Sequence, residues 1–215
     1  MQINGLVEFL RQNPLMRVFP IGNNGQLTLR GKIKLCHQYQ QYPKVTCCVE
    51  LKITFPSQYP LRPAVFEEIG GVIPKSDDYH INPDGSLCLG SPYRVESYLR
   101  ENINFNEFYN KFCVPYLYAV LLKIQHGINF IFGELKHGNE GELEDWSVIL
   151  NLTQKEQVLK CLEAMSLKKR LSNKQACPCD CGKRVGVCTL HHTLNKHRKQ
   201  MPRSWFKSTS IKLRK

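Results

Sequence analysis

A chain of 215 residues has room for one core of ordinary size plus a small appendage, because single cores run to about 100–200 residues. Hydrophobic residues make up 42% and aromatics 10%, and the longest apolar stretch, Phe112 to Leu122, is interrupted by Pro115 and stopped by Lys123, too short for a bilayer span. The net charge of +12 is concentrated: residues 1–165 hold 16 Lys/Arg against 17 Asp/Glu, whereas residues 166–215 hold 14 against the single acid Asp180, so a near-neutral domain over 1–165 and a strongly basic tail over 166–215 are expected.

Along the chain, Ile3, Leu6, Val7 and Leu10 recur at i, i+3, i+4 and i+7 and Asn13-Pro14 closes the pattern, which predicts an amphipathic helix over 3–13. Four β-rich segments follow, Leu15–Ile21, Gln26–Cys36, Val45–Phe55 and Ala64–Glu68. They are separated by Gly22-Asn23-Asn24-Gly25, by Gln40–Pro43 and by a proline-marked stretch from Pro56 to Pro63, the pattern of an antiparallel meander. Cys36, Cys47 and Cys48 fall inside strand patterns and are expected to be small buried side chains without chemistry. From Gly70 to Pro92 periodicity is lost, and a connection that long points to function. Helical spacing returns over Phe105–Lys123 with Pro115 as a kink or boundary, Gly133–Gly141 reads as a turn, and Leu143–Leu150 as a short helix. Thr153 and Glu156 form a capping-box pattern opening a helix to about Lys169, while His126 and His137 read as surface or packing residues.

The chain begins without a basic n-region or a small-residue cleavage site, so the expected compartment is the cytoplasm. There ten cysteines are not a disulfide framework and divide into buried residues, metal ligands and a reactive thiol. The aperiodic loop carries Tyr79-His80-Ile81-Asn82-Pro83-Asp84-Gly85-Ser86-Leu87-Cys88-Leu89-Gly90. A nucleophilic cysteine needs access, a route to thiolate, and donors aimed at the oxyanion that forms when an acyl group is attacked, and this one segment holds groups for all three.

The order of elements, Phe55-Pro56-x-x-Tyr59-Pro60-x-x-Pro63 and Gly85-Ser86-Leu87-Cys88-Leu89 together resemble the ubiquitin-conjugating-enzyme family over roughly residues 1–135. The resemblance implies an α+β conjugating-enzyme (UBC-like) fold: an N-terminal helix, a four-stranded antiparallel meander, an active-site loop and C-terminal helices. It also implies that Cys88 carries an acyl group as a thioester, received from an activating enzyme on another chain and passed to an amine. The family's His-Pro-Asn tripeptide places its Asn eight residues before the cysteine, where this sequence has His80, with Asn82 two residues nearer. Either a shorter loop lets His80 and Asn82 keep the family's roles, or His80 itself faces the oxyanion and also acts on protons; imidazole's capacity for both favours the second. With no nucleotide-binding glycine loop in the sequence, either a partner supplies the activation or the donor arrives already activated.

Among such enzymes the chain is most similar to stand-alone bacterial members of CBASS antiphage operons, which Gly133-Glu134-Leu135-Lys136-His137-Gly138 also resembles. That likeness implies antiviral defence and a cGAS-like nucleotidyltransferase, or another protein with a conjugatable C-terminus, as partner. Alternatives are a non-catalytic adaptor on the same fold, or a conjugating enzyme for a separate bacterial ubiquitin-like modifier.

In the tail, Cys177-Pro178-Cys179-Asp180-Cys181, then Cys188 and His191-His192, concentrate soft ligands at a density that suits tetrahedral zinc. Their spacing resembles the SEC-C zinc motif, with Thr189 where that motif has a fourth ligand. The expected ligands are Cys177, Cys179, Cys188 and His192 or His191, on the argument that Cys188 opens a helix whose i+3 and i+4 positions share its face; Cys181 is the rival. A fifty-residue piece this poor in large apolar residues needs such a staple. The surrounding cations, with Trp205 and Phe206 among them, suit nucleic-acid phosphates, an acidic protein face, or simple solvation.

Overall fold

The structure is a computed structural model and describes residues 2–20, 25–133, 136 and 138–215. It divides into two compact units, Met1–Glu134 and Leu135–Lys215. The packing boundary therefore precedes the charge step at 165/166, because helices from both sides of that step share one core in the second unit.

In the first unit, α1 (Leu6–Gln12) starts after Gly5, which is left-handed with φ 79°, so the helix is shorter than the periodicity predicted. Its inward residue is Phe9, fully buried, while Val7 is 63% exposed and does not belong to the buried face. Four strands follow, β1 (Met16–Phe19), β2 (Leu27–His37), β3 (Val45–Phe55) and β4 (Val65–Glu68), in one antiparallel sheet of order β1-β2-β3-β4. The expected meander is present; Ile21 and the Gly22–Asn24 part of the first predicted turn lie outside the described residues.

Alternation decides which face packs: Leu29, Ile33 and Leu35 of β2 and Val49, Leu51 and Ile53 of β3 point inward. Cys36 and Cys48 fall on the opposite parity and are exposed, with Cys47 half-buried, which corrects their expected burial. Gly31 is needed where it stands: its φ is 149° and a Cβ there would run into the Leu15 carbonyl.

α2 (Pro92–Glu101) begins with a proline in its first turn and fills the stretch between the aperiodic loop and the helical spacing that starts at Phe105. α3 (Phe105–Phe108), a π turn over Tyr109–Cys113 and α4 (Val114–His126) follow, and Pro115 sits in the first turn of α4. The proline has no N–H for the carbonyl one turn back, and the wider π turn lies just before it. Phe105 meets Phe9 at 5.0 Å and Phe55 at 4.7 Å between ring centroids, tying α1, α3 and β3 into one core. His126 is exposed as expected, and His137 lies outside the described residues.

The second unit is helical. α5 (Gly138–Leu150) takes in both the short predicted helix and the end of the predicted glycine turn. α6 (Lys155–Ser166) is capped at Gln154 without a side-chain hydrogen bond, so the Thr153/Glu156 box is not formed, and the extended Leu167 ends the helix before Lys169. α7 (Lys169–Ser172), α8 (Leu190–Gln200) and α9 (Arg203–Arg214) complete it. Phe206 and Leu213 of α9 are buried, as are Val158, Leu162 and Met165 of α6, and α6 and α9 are packed together, so most of the basic tail is folded helix.

Candidate functional site

Cys88 sits on the returning arm of a tight hairpin. Gly85 N–H donates to the Asn82 carbonyl at 2.8 Å and Asn82 N–H to the Ser86 carbonyl at 2.8 Å, with Pro83 just inside the turn and Gly85 left-handed at φ 82°. Proline's fixed φ and glycine's tolerance of positive φ are what such a turn requires. Asp84 accepts from the Ser86 hydroxyl at 2.6 Å and from its N–H at 3.0 Å, and these bonds hold the Asp84 carboxyl below the usual carboxylate range. The Asn82 amide donates to Ser86 Oγ at 3.0 Å, so its side chain is bonded within the turn.

The arm is docked on both sides. Ser86 bridges Glu67, and Leu87 N–H donates to the Phe66 carbonyl at 2.8 Å, laying the arm beside β4. Cys88 N–H donates to the His80 carbonyl at 2.9 Å, which brings the backbones of the two predicted residues together. His80 is left-handed, and its ring stands edge-on to Phe130 at 4.4 Å. From α4, the Tyr116 hydroxyl donates to the Tyr79 carbonyl at 2.8 Å and Lys123 Nζ to the Asp78 carbonyl at 2.8 Å, fixing the turn that ends in His80.

The Glu68 side chain is buried and accepts from the N–H groups of Gly70 at 2.8 Å and Gly71 at 3.0 Å, anchoring the other end of the loop. Both Glu68 and Tyr116 are positioning residues; Tyr116 falls in the helical spacing of Phe105–Lys123, whereas the strand pattern ending at Glu68 did not mark its carboxylate, for which an acid ahead of Gly70-Gly71 was the available signal. Cys88 is half-buried, and burial pushes its thiol up while the Gly90 N–H pulls in the other direction. Desolvation wins, so the resting group is a thiol with a donor already beside it.

The second unit holds the other cluster. A hairpin joined by the Ala176–Arg184 bridge and by Cys177 N–H to the Lys183 carbonyl at 2.8 Å carries Cys177, Cys179 and Cys181, with Asp180 and Gly182 left-handed in its turn. A 3-10 turn over Val185–Val187 delivers Cys188. The four sulfurs lie within 4.8 Å of one another, with Cys177–Cys179 at 3.2 Å, Cys179–Cys188 at 3.5 Å and Cys181–Cys188 at 3.6 Å, close enough to hold a metal ion.

The fourth sulfur is that of Cys181, in place of the expected His192 or His191. Cys188 is extended (φ −90°, ψ 149°) and α8 begins only at Leu190, so the helical i+3/i+4 argument has no helix to act on. His192 is exposed, and His191 Nε2 is 2.8 Å from the Asn195 amide. The Cys188 thiol is brought down to about 6, chiefly by the Leu190 N–H, as suits a ligand that binds as thiolate. Cys161 of α6 is fully buried nearby, its thiol pushed up to about 12 by burial and then by the charges of Cys179 and Cys188; it is not one of the four.

No helix among the described residues is long and apolar enough to cross a membrane. Compared with known proteins, the chain matches no family model, no curated protein and no solved structure.

Proposed function

We propose that the first unit is an acyl carrier of the ubiquitin-conjugating type, with Cys88 as its nucleophile. The observation that carries this reading is the setting of Cys88: half-exposed, on an arm hydrogen-bonded to both β4 and His80, with the Gly90 N–H at its sulfur. In the proposed step the Cys88 thiolate attacks the carbonyl carbon of an activated C-terminus and expels the donor's thiolate or nucleotide. An amine then attacks the thioester, and the Cys88 sulfur leaves with the electron pair. His80 is assigned the donor and proton-handling role, and Asn82, whose amide is bonded to Ser86, the shaping of the turn. The resemblance of sequence supplies the proposed setting: antiphage defence, a cGAS-like nucleotidyltransferase as the conjugated protein, and an activating enzyme on another chain.

In the second unit the proposed ion is structural zinc held by Cys177, Cys179, Cys181 and Cys188. A zinc about 2.3 Å from four thiolates sets the sulfurs about 3.8 Å apart; three of the sulfur pairs, at 3.2–3.6 Å, would open slightly to receive it, within a set whose atoms all lie within 4.8 Å of one another.

A glycine-ended peptide thioester tests the acyl-carrier reading. After brief exposure, mapping of the acylated cysteines is expected to find Cys88 ahead of Cys36 and Cys48, although both of those are more exposed. The adduct is released by thiol, and Cys88→Ala removes it. Acylation that follows exposure alone, with Cys88 last, ends the enzyme reading. It would leave a binding-only adaptor, which one observation favours: burial raises the Cys88 thiol rather than lowering it.

A further inference from the structure

The acids of the second unit are largely matched within it. Glu140 and Glu144 pair with Lys136, Glu142 with Lys212, and Glu156 and Glu163 with Arg214, while Asp180 accepts from Gln157. Lys196 and Lys199 of α8 and Arg203 and Lys207 of α9 are exposed and form no ion pair among the described residues. Lys196 and Lys199 stand at i and i+3, and after the Met201-Pro202 corner Arg203 and Lys207 stand at i and i+4, so each helix presents its exposed, unpaired cations along one side. The buried side of α8, Leu190 and Leu194, lies opposite its cations, and that of α9, Phe206 and Leu213, lies about a quarter turn from Arg203 and Lys207. The cations are thus mounted on packed helices.

We propose that these exposed cations bind the phosphodiester backbone of a nucleic acid. Lys and Arg donors with no protein acceptors of opposite charge are the groups that displace counterions from phosphates. Cations four residues apart on a helix stand about 6 Å apart along its axis, close to two phosphate steps of about 3.4 Å on one duplex strand. An acidic protein face fits less well, because protein interfaces carry aromatic anchors at their centre, and of the aromatic residues of this unit Trp146 and Phe206 are buried and Trp205 half-buried, leaving Ile211 as the one exposed apolar side chain of α9. A membrane surface fits less well again, since the apolar side that would enter the headgroups is the side of α9 turned inward. The cations carry no base-reading pattern, so the binding is to backbone rather than to sequence.

The test uses the full chain and fluorescently labelled mixed-sequence oligonucleotides of about 20 nucleotides, as RNA, single-stranded DNA and duplex DNA, read by anisotropy from about 50 to 200 mM salt. At least one arm is expected to bind, with log K falling linearly with log salt at a slope of about −3 or steeper, four contacts each contributing about 0.7–0.9. The arm that binds best identifies the form of nucleic acid. Lys196→Glu/Lys199→Glu/Lys207→Glu, with an unchanged circular-dichroism spectrum and melting curve, is expected to weaken binding at least tenfold and flatten the slope by about 2 or somewhat more. Lys32→Glu/Lys34→Glu, exposed on β2 of the first unit, is expected to change neither. No binding at the lowest salt, equal loss in the two variants, or tighter binding to polyglutamate or to phosphatidylserine vesicles than to every oligonucleotide would overturn the proposal.

Discussion

Each unit presents cysteine on a hairpin built with a left-handed turn residue, Gly85 in one and Asp180 and Gly182 in the other, yet the two hairpins equip sulfur for different chemistry. At Cys88 a single sulfur has a backbone donor and hydrocarbon around it, and burial leaves it a thiol. In the second unit four sulfurs face one another, a grouping close enough to hold a metal ion, whose charge would offset the repulsion between thiolates. The lesson is that a sulfur's company, rather than its exposure, decides what it is fitted for: Cys36 and Cys48 are more accessible than Cys88 and have neither a docked loop nor a cluster.

The largest effect that would sharpen this contrast is expected from metal removal. Structural zinc sites of this kind contribute on the order of 10 kcal/mol to folding, so a strong chelator should unfold the cysteine hairpin. Both tryptophans of the chain, Trp146 and Trp205, lie in the second unit, so their fluorescence should shift while the Cys88 loop is unaffected. Metal analysis should give one ion per chain, lost in Cys181→Ser and kept in His192→Ala; the reverse pattern would restore the histidine ligand.

Next in size is the loss of acyl uptake in Cys88→Ala, with Cys88→Ser trapping a hydroxylamine-resistant oxyester. Because burial raises the folded thiol, alkylation of Cys88 should still be climbing with pH where an ordinary thiol has levelled off. A plateau at lower pH would show an activated thiolate and break the contrast as drawn.

Smaller is Tyr116→Phe, which deletes the bond to the Tyr79 carbonyl and should cost about 1 kcal/mol, visible as a lower melting temperature and faster amide exchange around His80. The smallest effect is expected at Asp84. Its carboxyl is lowered in the fold, so its contribution is present above the unfolded carboxyl's range and is lost as pH falls through the lowered folded value. Exchange at the Ser86 amide should rise in that acid window, and Ser86→Ala should weaken the dependence; a dependence that instead grows with alkaline pH would remove Asp84 from the explanation.

Much of the first unit was legible because its strands alternate strictly, and the turn around Pro83 and Gly85 is written in residues whose backbone preferences leave little choice. What was not legible came from competition between local and distant terms. Val7 fits the helical period of α1, but the tertiary core selects Phe9. Cys36 and Cys48 look apolar by type, yet strand parity puts them outside. In the second unit the Cys spacing announced a cluster that could hold a metal ion, while the grouping of Cys181 rather than His192 with the other three turned on Cys188 being extended, a backbone state that no spacing rule reports. A helix in the region of α8 entered only through the argument that Cys188 opens one, and α9 was hidden because charge dominates its composition and only a few positions, among them Phe206 and Leu213, enter the core.

The pairing of Ser86 and Leu87 with β4 has one more consequence. β4 is the last strand of the sheet, and a bare edge is a template on which a second chain can add a strand. The segment that presents Cys88 occupies that edge, so loosening it to quicken the thiol would also uncover a route to self-association, a reason for the loop to stay tight even at some expense in reactivity.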